Sequence, residues 1–561
     1  MLFALCALAL AQDDVDASSD VGLFDQVNVT GGFDVEGRYY TSDRVLPDFP
    51  DQKGLFNYGE VVTRSNVLVD SKTWQLGAQL DHVSMFNGWY FLDEQKVYEF
   101  DLLANGIRSP WEMSSVNLEK TWFTINAGPV EIGLGDQYMS VGRGLALNLV
   151  KNTDIDVDTT LRGARINSTL GMWDLAFISG LTNQQQIQQD NPNRQLRPSV
   201  HNLVNAVRVD RYGVGPFNLG AHAVSYNLAD SAEPLIPSYA RYGDISELDA
   251  LVGGASVEGF LGPADVFLEG DYFHYRSERL FSDGNIEPGY AVYGSTSFYP
   301  GRFAVLVEGK RYKNTERLNS LTTLEGYEIA VGPSLEYERV ITEDSSAGVN
   351  SNDIYGGRAR VDFMAKPGEF IPYFSLGVFR DQELGGLHFN RSMETIVHPV
   401  VGMDLQGDQI TAIVNSGVRV DMRDEHGRDS LIHLDAAVSF PLPGALHGDV
   451  TWDIYRFWWG ENENQQHDFY TSTMALAAHH PSGVSFLVYN DFTDDPLAQA
   501  QAKGNVADNI YLAGEVQYKP NDRTAIRAFY GAYKAGIRCA GGQCRQLPGF
   551  DGARVAVTTT F

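Results

Sequence analysis

The last eleven residues, "DGARVAVTTTF", alternate in polarity with a period of two. Phe561, Thr559, Val557, Val555 and Ala553 fall on one face, and Thr560, Thr558, Ala556 and Arg554 on the other. Only an extended strand divides residues in this way, because its successive side chains point to opposite sides. The pattern recurs along the chain. In "PADVFLEGDYFHY", Ala264, Val266, Leu268, Gly270 and Tyr272 oppose Asp265, Phe267, Glu269, Asp271 and Phe273. "RFAVLVEGKRY", "DIYGGRARVDF" and "RTAIRAFYGAY" repeat it, with Glu308 and Lys310, Arg358 and Arg360, and Arg527 on their polar faces. Turn formers such as "FLGP", "YPG", "KPGE", "PLPG" and "KPND" separate the runs. Helical periodicity is hard to find.

Soluble sandwiches alternate as well, so alternation does not decide between a sandwich and a membrane barrel. Three further features do. Candidate strands number about 26, far more than a sandwich uses. The polar faces carry Arg, Lys, Asp and Glu repeatedly, as a wet interior requires. The apolar faces end in aromatics, as in "YRFWWGE" (Trp458, Trp459) and "DYFHY", like the girdles at membrane interfaces. A backbone in hydrocarbon must satisfy every N–H and C=O internally, so a sheet there has to close on itself. No stretch approaches the roughly 20 apolar residues of a helical span. The predicted fold is therefore all-β: a single closed antiparallel transmembrane β-barrel of about 22–26 strands, occupying 27–561.

The opening "MLFALCALALAQDD" reads as a signal peptide over 1–11, cut after Ala9-Leu10-Ala11, although the usual basic n-region is missing. Residues 12–26 then form a short periplasmic segment, too short for a plug domain. Export places the barrel in the bacterial outer membrane, with its lipid as the first partner. Losing Cys6 leaves Cys539 and Cys544, an even pair that in an exported chain favours a disulfide. The net charge of −30 argues against nucleic acid and fits either a surface that holds divalent cations or plain solubility. Polar, breaker-rich stretches such as "NQQQIQQDNPNRQLRPS" and "TEDSSAGVNSN" read as extracellular loops.

The densest stretch runs from Gly135 to Arg165. Its Gly142-Arg143-Gly144 invites a phosphate-loop reading, but no Gly-Lys-Ser/Thr follows and no helix is signalled. It reads better as a loop tucked into the lumen, where its arginines pair with acidic wall residues, since unpaired buried charge is costly. Such a loop is either an internal brace or a constriction that filters solutes. The lumen or constriction candidates are Asp136, Arg143, Arg162, Arg165, Glu269, Asp271, Glu308, Lys310, Arg358, Arg360, Glu515 and Arg527. Their signs are mixed, which suggests a filled or narrow interior rather than a single-sign ion filter.

Enzyme constellations are weak. His479-His480 has no partner at metal spacing, and His447 and Asp449 share a face with no Ser to serve as nucleophile. Asp491, Asp494 and Asp495 in "YNDFTDDPL" offer carboxylates that suit Ca²⁺ but lack EF-hand spacing, so a solvated loop is the simpler reading. No other cofactor is expected.

"GDQYMSVGRGLALNL…DTTLRGARI" and the C-terminal "EVQYKPNDRTAIRAFYGAYKAGIRCAGGQCRQLPGFDGARVAVTTTF" together resemble an uncharacterised family of large Gram-negative outer-membrane barrel proteins. That family is marked by a GRGL-type segment in the first third and a Cys-containing loop before the last strand. The two motifs cover about 80 residues. The resemblance implies an outer-membrane barrel and a disulfide between Cys539 and Cys544. It implies no activity and no catalytic residue. The aromatic end of the last strand also resembles the signal read by the barrel-insertion machinery, which makes Phe561 the insertion signal and that machinery a second partner. A porin-like channel for small polar solutes or cations is the first functional expectation. The second is a non-conducting scaffold or adhesin presenting acidic loops to a partner or polysaccharide; a barrel hydrolase is the least supported.

Overall fold

The structure, a computed structural model, describes residues 27–41, 58–86, 114–152, 157–184, 202–227, 248–277, 287–315, 354–366, 368–381, 394–423, 427–460, 466–494, 509–534, 536–540, 543–547 and 549–561. The signal peptide, the N-terminal segment, most of the stretches read as extracellular loops, and Asp154, Asp156 and Asp495 lie outside them, as do the side chains of Cys539, Cys544 and Trp459.

The strands are β1 (Asn28–Tyr40), β2 (Tyr58–Asp70), β3 (Trp74–Phe86), β4 (Ser114–Ala127), β5 (Val130–Gln137), β6 (Met139–Val141), β7 (Leu147–Leu149), β8 (Lys151–Asn152), β9 (Val157–Leu170) and β10 (Trp173–Gln184). Next come β11 (Leu203–Val214), β12 (Phe217–Asn227), β13 (Leu248–Leu261), β14 (Ala264–Ser277), β15 (Gly289–Phe298), β16 (Phe303–Lys313), β17 (Ile354–Phe363), β18 (Phe370–Asp381), β19 (Glu394–Gln406) and β20 (Thr411–Arg423). The last are β21 (Gly427–Leu442), β22 (Leu446–Gly460), β23 (Gln466–His479), β24 (Val484–Thr493), β25 (Ile510–Asn521), β26 (Thr524–Tyr533), β27 (Gly536–Ala540), β28 (Gln543–Leu547) and β29 (Phe550–Thr560).

Without the short strands β6–β8, β27 and β28, 24 strands form one closed antiparallel ring, inside the expected range. Each pairs with the next in sequence, except that β5 passes directly to β9 and β26 to β29. The ring closes where β29 pairs with β1, Gly32 opposite Thr560 and Tyr40 opposite Gly552. β20–β21 and β22–β23 are joined by three and five residues on one side of the ring, while on the side that also holds Asn28 and Thr560 every connection has two to six residues. Gly171 and Gly262 take φ near +65° in two of these turns, a conformation glycine enters at no steric cost. Longer connections lie on the opposite side, the extracellular one by the usual arrangement of such barrels.

Alternation sorts the faces as the sequence indicates. Leu268, Tyr272, Phe374 and Phe486 are exposed outward, while Glu269, Asp271 and Ser375 on the same or neighbouring strands are buried inward. Exposed aromatics form two belts: Trp173, Phe260, Tyr299 and Phe370 near the short turns, and Tyr272, Tyr355, Tyr470 and Tyr530 toward the other end. One reading needs correction. In "DYFHY" only Tyr272 joins a girdle; Phe273 and Tyr275 point inward and are completely buried. They belong to an apolar cluster inside the barrel, built from Ile178, Val204, Val224, Tyr226, Val252, Tyr293, Tyr312 and Phe379 among others on strands β9 to β19.

Candidate functional site

A cylinder closed on itself, apolar outside and charged within, is an outer-membrane β-barrel, and whatever it does must happen in its lumen or at its two mouths. Sequence explains the segment that enters the lumen. Between β5 and β9 the chain turns inward as the β6–β7 hairpin, closed by Gly142-Arg143-Gly144. Val141, Leu145, Ala146, Leu147 and Leu149 are buried against the apolar inner wall of β9 to β19. This run is apolar because both the hairpin and the wall it meets are dry, and burial of apolar surface holds the two together.

Polar contacts fix the hairpin's orientation. The Arg143 main-chain N–H donates to the Glu269 carboxylate, at 2.9 Å from Oε2 and 3.2 Å from Oε1. Gly142 has φ +61°, and a Cβ there would lie 1.8 Å from Glu269 Oε1. The Gly-Arg-Gly turn therefore does cradle an anion, but the anion is a carboxylate of the protein's own wall. Of the arginines expected to pair with acidic wall residues, Arg162 and Arg165 do so and Arg143 does not. The Arg143 guanidinium sits over the rings of Phe267 and Tyr293, 5.1 and 4.6 Å from their centroids. Arg162 and Arg165 are on the wall strand β9 and meet Asp136 at 3.2 Å and Glu131 at 2.5 Å. At the hairpin's base the Tyr138 hydroxyl donates to Asp158 at 2.7 Å, Lys120 pairs with Asp158, and the Tyr226 hydroxyl donates to the Ala146 carbonyl.

Below the apolar cluster lies a layer of charge. Glu308 and Arg358 are direct cross-strand partners and form a buried ion pair at 2.6 Å, with the Tyr293 hydroxyl donating to the same carboxylate at 2.7 Å. His222, Glu269 and Asp271 converge nearby, His222 Nε2 lying 2.6 Å from Asp271 Oδ1. Lys310 sits over Tyr312 and Phe379, and Arg360 over Tyr373 while pairing with Asp362 at 2.7 Å. Asp136 is saturated: it accepts from the Thr121 N–H, Thr160, Arg162 and Asn183. Glu515 meets Arg554 at 3.3 Å on the far wall, and Arg527 is exposed on β26. The candidates thus divide into a hairpin anchor, a central charged layer and separate wall pairs.

Two clusters escape a linear reading. His398 and His433 approach at 3.0 Å between Nε2 atoms, with His433 Nδ1 2.8 Å from Asp435. At the short-turn rim, His479 bridges Asp449 at 2.8 Å and the Ser485 hydroxyl at 2.7 Å, so His447 and Asp449 do acquire a serine neighbour. The spacing of two places His433 with Asp435 and His447 with Asp449, but only strand register adds His398 to the first pair and His479 and Ser485 to the second. Of the aspartates whose carboxylates suit Ca²⁺, Asp491 accepts from the Lys534 N–H and Asp494 from the Tyr470 N–H, while Asp495 lies outside the described residues.

No protein-family model and no curated protein sequence matches the chain. Among solved structures it is similar to the siderophore receptor PirA from Pseudomonas aeruginosa, at 8% identity and TM-score 0.48, covering 95% of this chain and 80% of that one. It is similar to the copper transporter OprC at 9% identity and TM-score 0.44, covering 96% and 81%. It is also similar to the outer membrane protein opdK from Pseudomonas aeruginosa, at 11% identity and TM-score 0.38, covering 73% and 96%. At identities and scores this low, none of these likenesses says what this chain does.

Proposed function

We propose that the barrel is a passive pore for small polar solutes, with the β6–β7 hairpin narrowing one side of its extracellular half. The supporting observation is the hairpin's seat: its apolar residues are buried in one cluster with inward-facing residues of β9 to β19. Strands about 4.8 Å apart and tilted by about 40° give a ring of 24 strands a backbone diameter on the order of 45–50 Å. A hairpin of eleven residues, Met139–Leu149, occupies a small part of such a section. The remaining wall carries paired charges, including Arg38 with Glu60, Arg419 with Asp421 and Arg554 with Glu515, the lining of a wet passage. The net charge of −30 favours cations in an open lumen.

A second reading, a non-conducting scaffold whose acidic loops meet a partner or polysaccharide, draws on the dry inner cluster and the pairing of wall charges. One measurement separates the two. Purified protein in a planar bilayer should give discrete conductance steps, and deletion of 139–149 should enlarge them. Folded protein that gives no steps, with or without the hairpin, would leave the scaffold standing.

A further inference from the structure

The convergence of His222, Glu269 and Asp271 is produced by strand register. His222 and Asp271 are the direct partners of Gly254 from its two sides, on β12 and β14. A Cβ at Gly254 would lie 2.1 Å from Asp271 Oδ1 and 2.4 Å from His222 Nε2. Only a glycine on the middle strand lets the flanking side chains meet over it. Glu269 is two residues before Asp271 and shares its face. One ligand-type atom from each of the three lies within 4.8 Å of the other two.

The charge at this point is out of balance. Glu269 and the side chains of Asp271 and His222 are buried, with 2% or less exposed. Arg143 gives Glu269 a main-chain N–H but places its guanidinium on aromatic rings. Asp271 Oδ2 accepts no hydrogen bond among the described residues, a costly arrangement for a buried carboxylate oxygen. Two buried carboxylates share one imidazole and one main-chain N–H, and a dication would balance their charge.

We propose that His222, Glu269 and Asp271 bind a divalent first-row transition cation in the barrel interior. His222 supplies Nε2 and each carboxylate one oxygen, leaving further positions to water. The imidazole selects against Ca²⁺ and Mg²⁺, which take oxygen donors, and suits Zn²⁺ or its neighbours. His222 Nε2, the atom that would hold the ion, now lies 2.6 Å from Asp271 Oδ1, so metal binding replaces that hydrogen bond. Because Glu269 also receives the Arg143 N–H, the ion would tie the inward hairpin to the wall. The site differs in residues and chemistry from Asp491, Asp494 and Asp495, whose carboxylates would suit Ca²⁺.

The test uses the full exported chain in detergent micelles, stripped with a chelator and titrated with ZnCl₂. Metal content is read by mass spectrometry after desalting, and affinity by competition with a chromophoric chelator. Wild type should retain one equivalent of Zn²⁺ in the presence of excess Ca²⁺. His222→Asn and Asp271→Asn should each weaken binding tenfold or more, while His433→Asn and His479→Asn leave it unchanged. Heat-modifiable gel migration reports folding, and if Asp271→Asn fails to fold, His222→Asn decides. Binding that is equally tight in His222→Asn, that follows His433 or His479 instead, or that is absent from folded wild type would overturn the proposal.

Discussion

Arg143 donates its main-chain N–H to the carboxylate of Glu269 across 126 residues of sequence. Apolar burial alone would let the hairpin slide along the greasy inner wall; this contact sets its register. Gly142 makes it possible by combining a left-handed backbone with room for the carboxylate. Gly142→Ala should therefore cost more than the about 1–2 kcal/mol of placing an L side chain at that φ. Gly128→Ala is the control, having φ +64° with nothing within 4 Å. The excess should appear as trypsin cleavage after Arg143 in Gly142→Ala but not in Gly128→Ala. Equal resistance of the two variants would mean that the Glu269 contact does not hold the hairpin.

The pair formed by Glu308 and Arg358 has both side chains under 10% exposed. Removing Arg358 leaves the Glu308 carboxylate buried without its ion-pair partner, softened by the Tyr293 hydroxyl, a loss of about 3–5 kcal/mol. Arg358→Met alone should lower barrel stability by that order. Adding Glu308→Gln should restore most of it, since an amide can still accept from Tyr293. Urea titrations of the two single variants and the double, followed by gel migration, give the coupling energy. A double variant no more stable than Arg358→Met would contradict the pairing.

Much of this architecture was legible from alternation, because closure in lipid forces a greasy residue at every second position regardless of function. Leu268, Val307, Val361 and Tyr530 all face outward as their parity requires. The inner apolar cluster was not legible, because alternation assumes a wet lumen. Its trace is the loss of contrast between faces toward the extracellular ends, as in "GDYFHY", where Tyr272 faces lipid and Phe273 the hairpin. The convergence of His222 with Asp271 was beyond reach for another reason. The two are 49 residues apart, and only the pairing of both with Gly254 aligns them. The Gly253-Gly254 pair at mid-strand was the available signal.

Cys539 and Cys544 are direct cross-strand partners in the β27–β28 hairpin. Directly opposed residues of an antiparallel pair have Cα atoms about 4.5–5.5 Å apart, inside the range a disulfide spans. The exported protein should therefore show no free thiol under denaturing, non-reducing conditions, and Cys539→Ser should expose one. Closing so small a loop is worth about 2 kcal/mol in the chain-entropy picture. Reduction should thus raise hydrogen exchange within 536–547 and leave the barrel strands unchanged. A free thiol in wild type would remove the disulfide.

Phe561 and Gly31 exchange both main-chain hydrogen bonds, at 3.1 and 3.0 Å, where β29 meets β1. The Phe561 ring lies 5.9 Å from that of Phe33, and a Cβ at Gly31 would come within 2.5 Å of it. This seam joins the two ends of the described chain, so its closure carries the largest loop-entropy cost of any strand pair and is expected late in folding. Phe561 can serve there in two ways, as packing that seals the seam or as the aromatic that the insertion machinery reads. Phe561→Ala should lower the amount of folded barrel in the outer membrane in either case. Refolding into detergent, where no machinery is present, separates them. Unimpaired refolding with reduced membrane yield assigns Phe561 to recognition; impairment of both assigns it to the seam, and Gly31→Ala should then impair refolding too. Normal membrane yield of Phe561→Ala would exclude both roles.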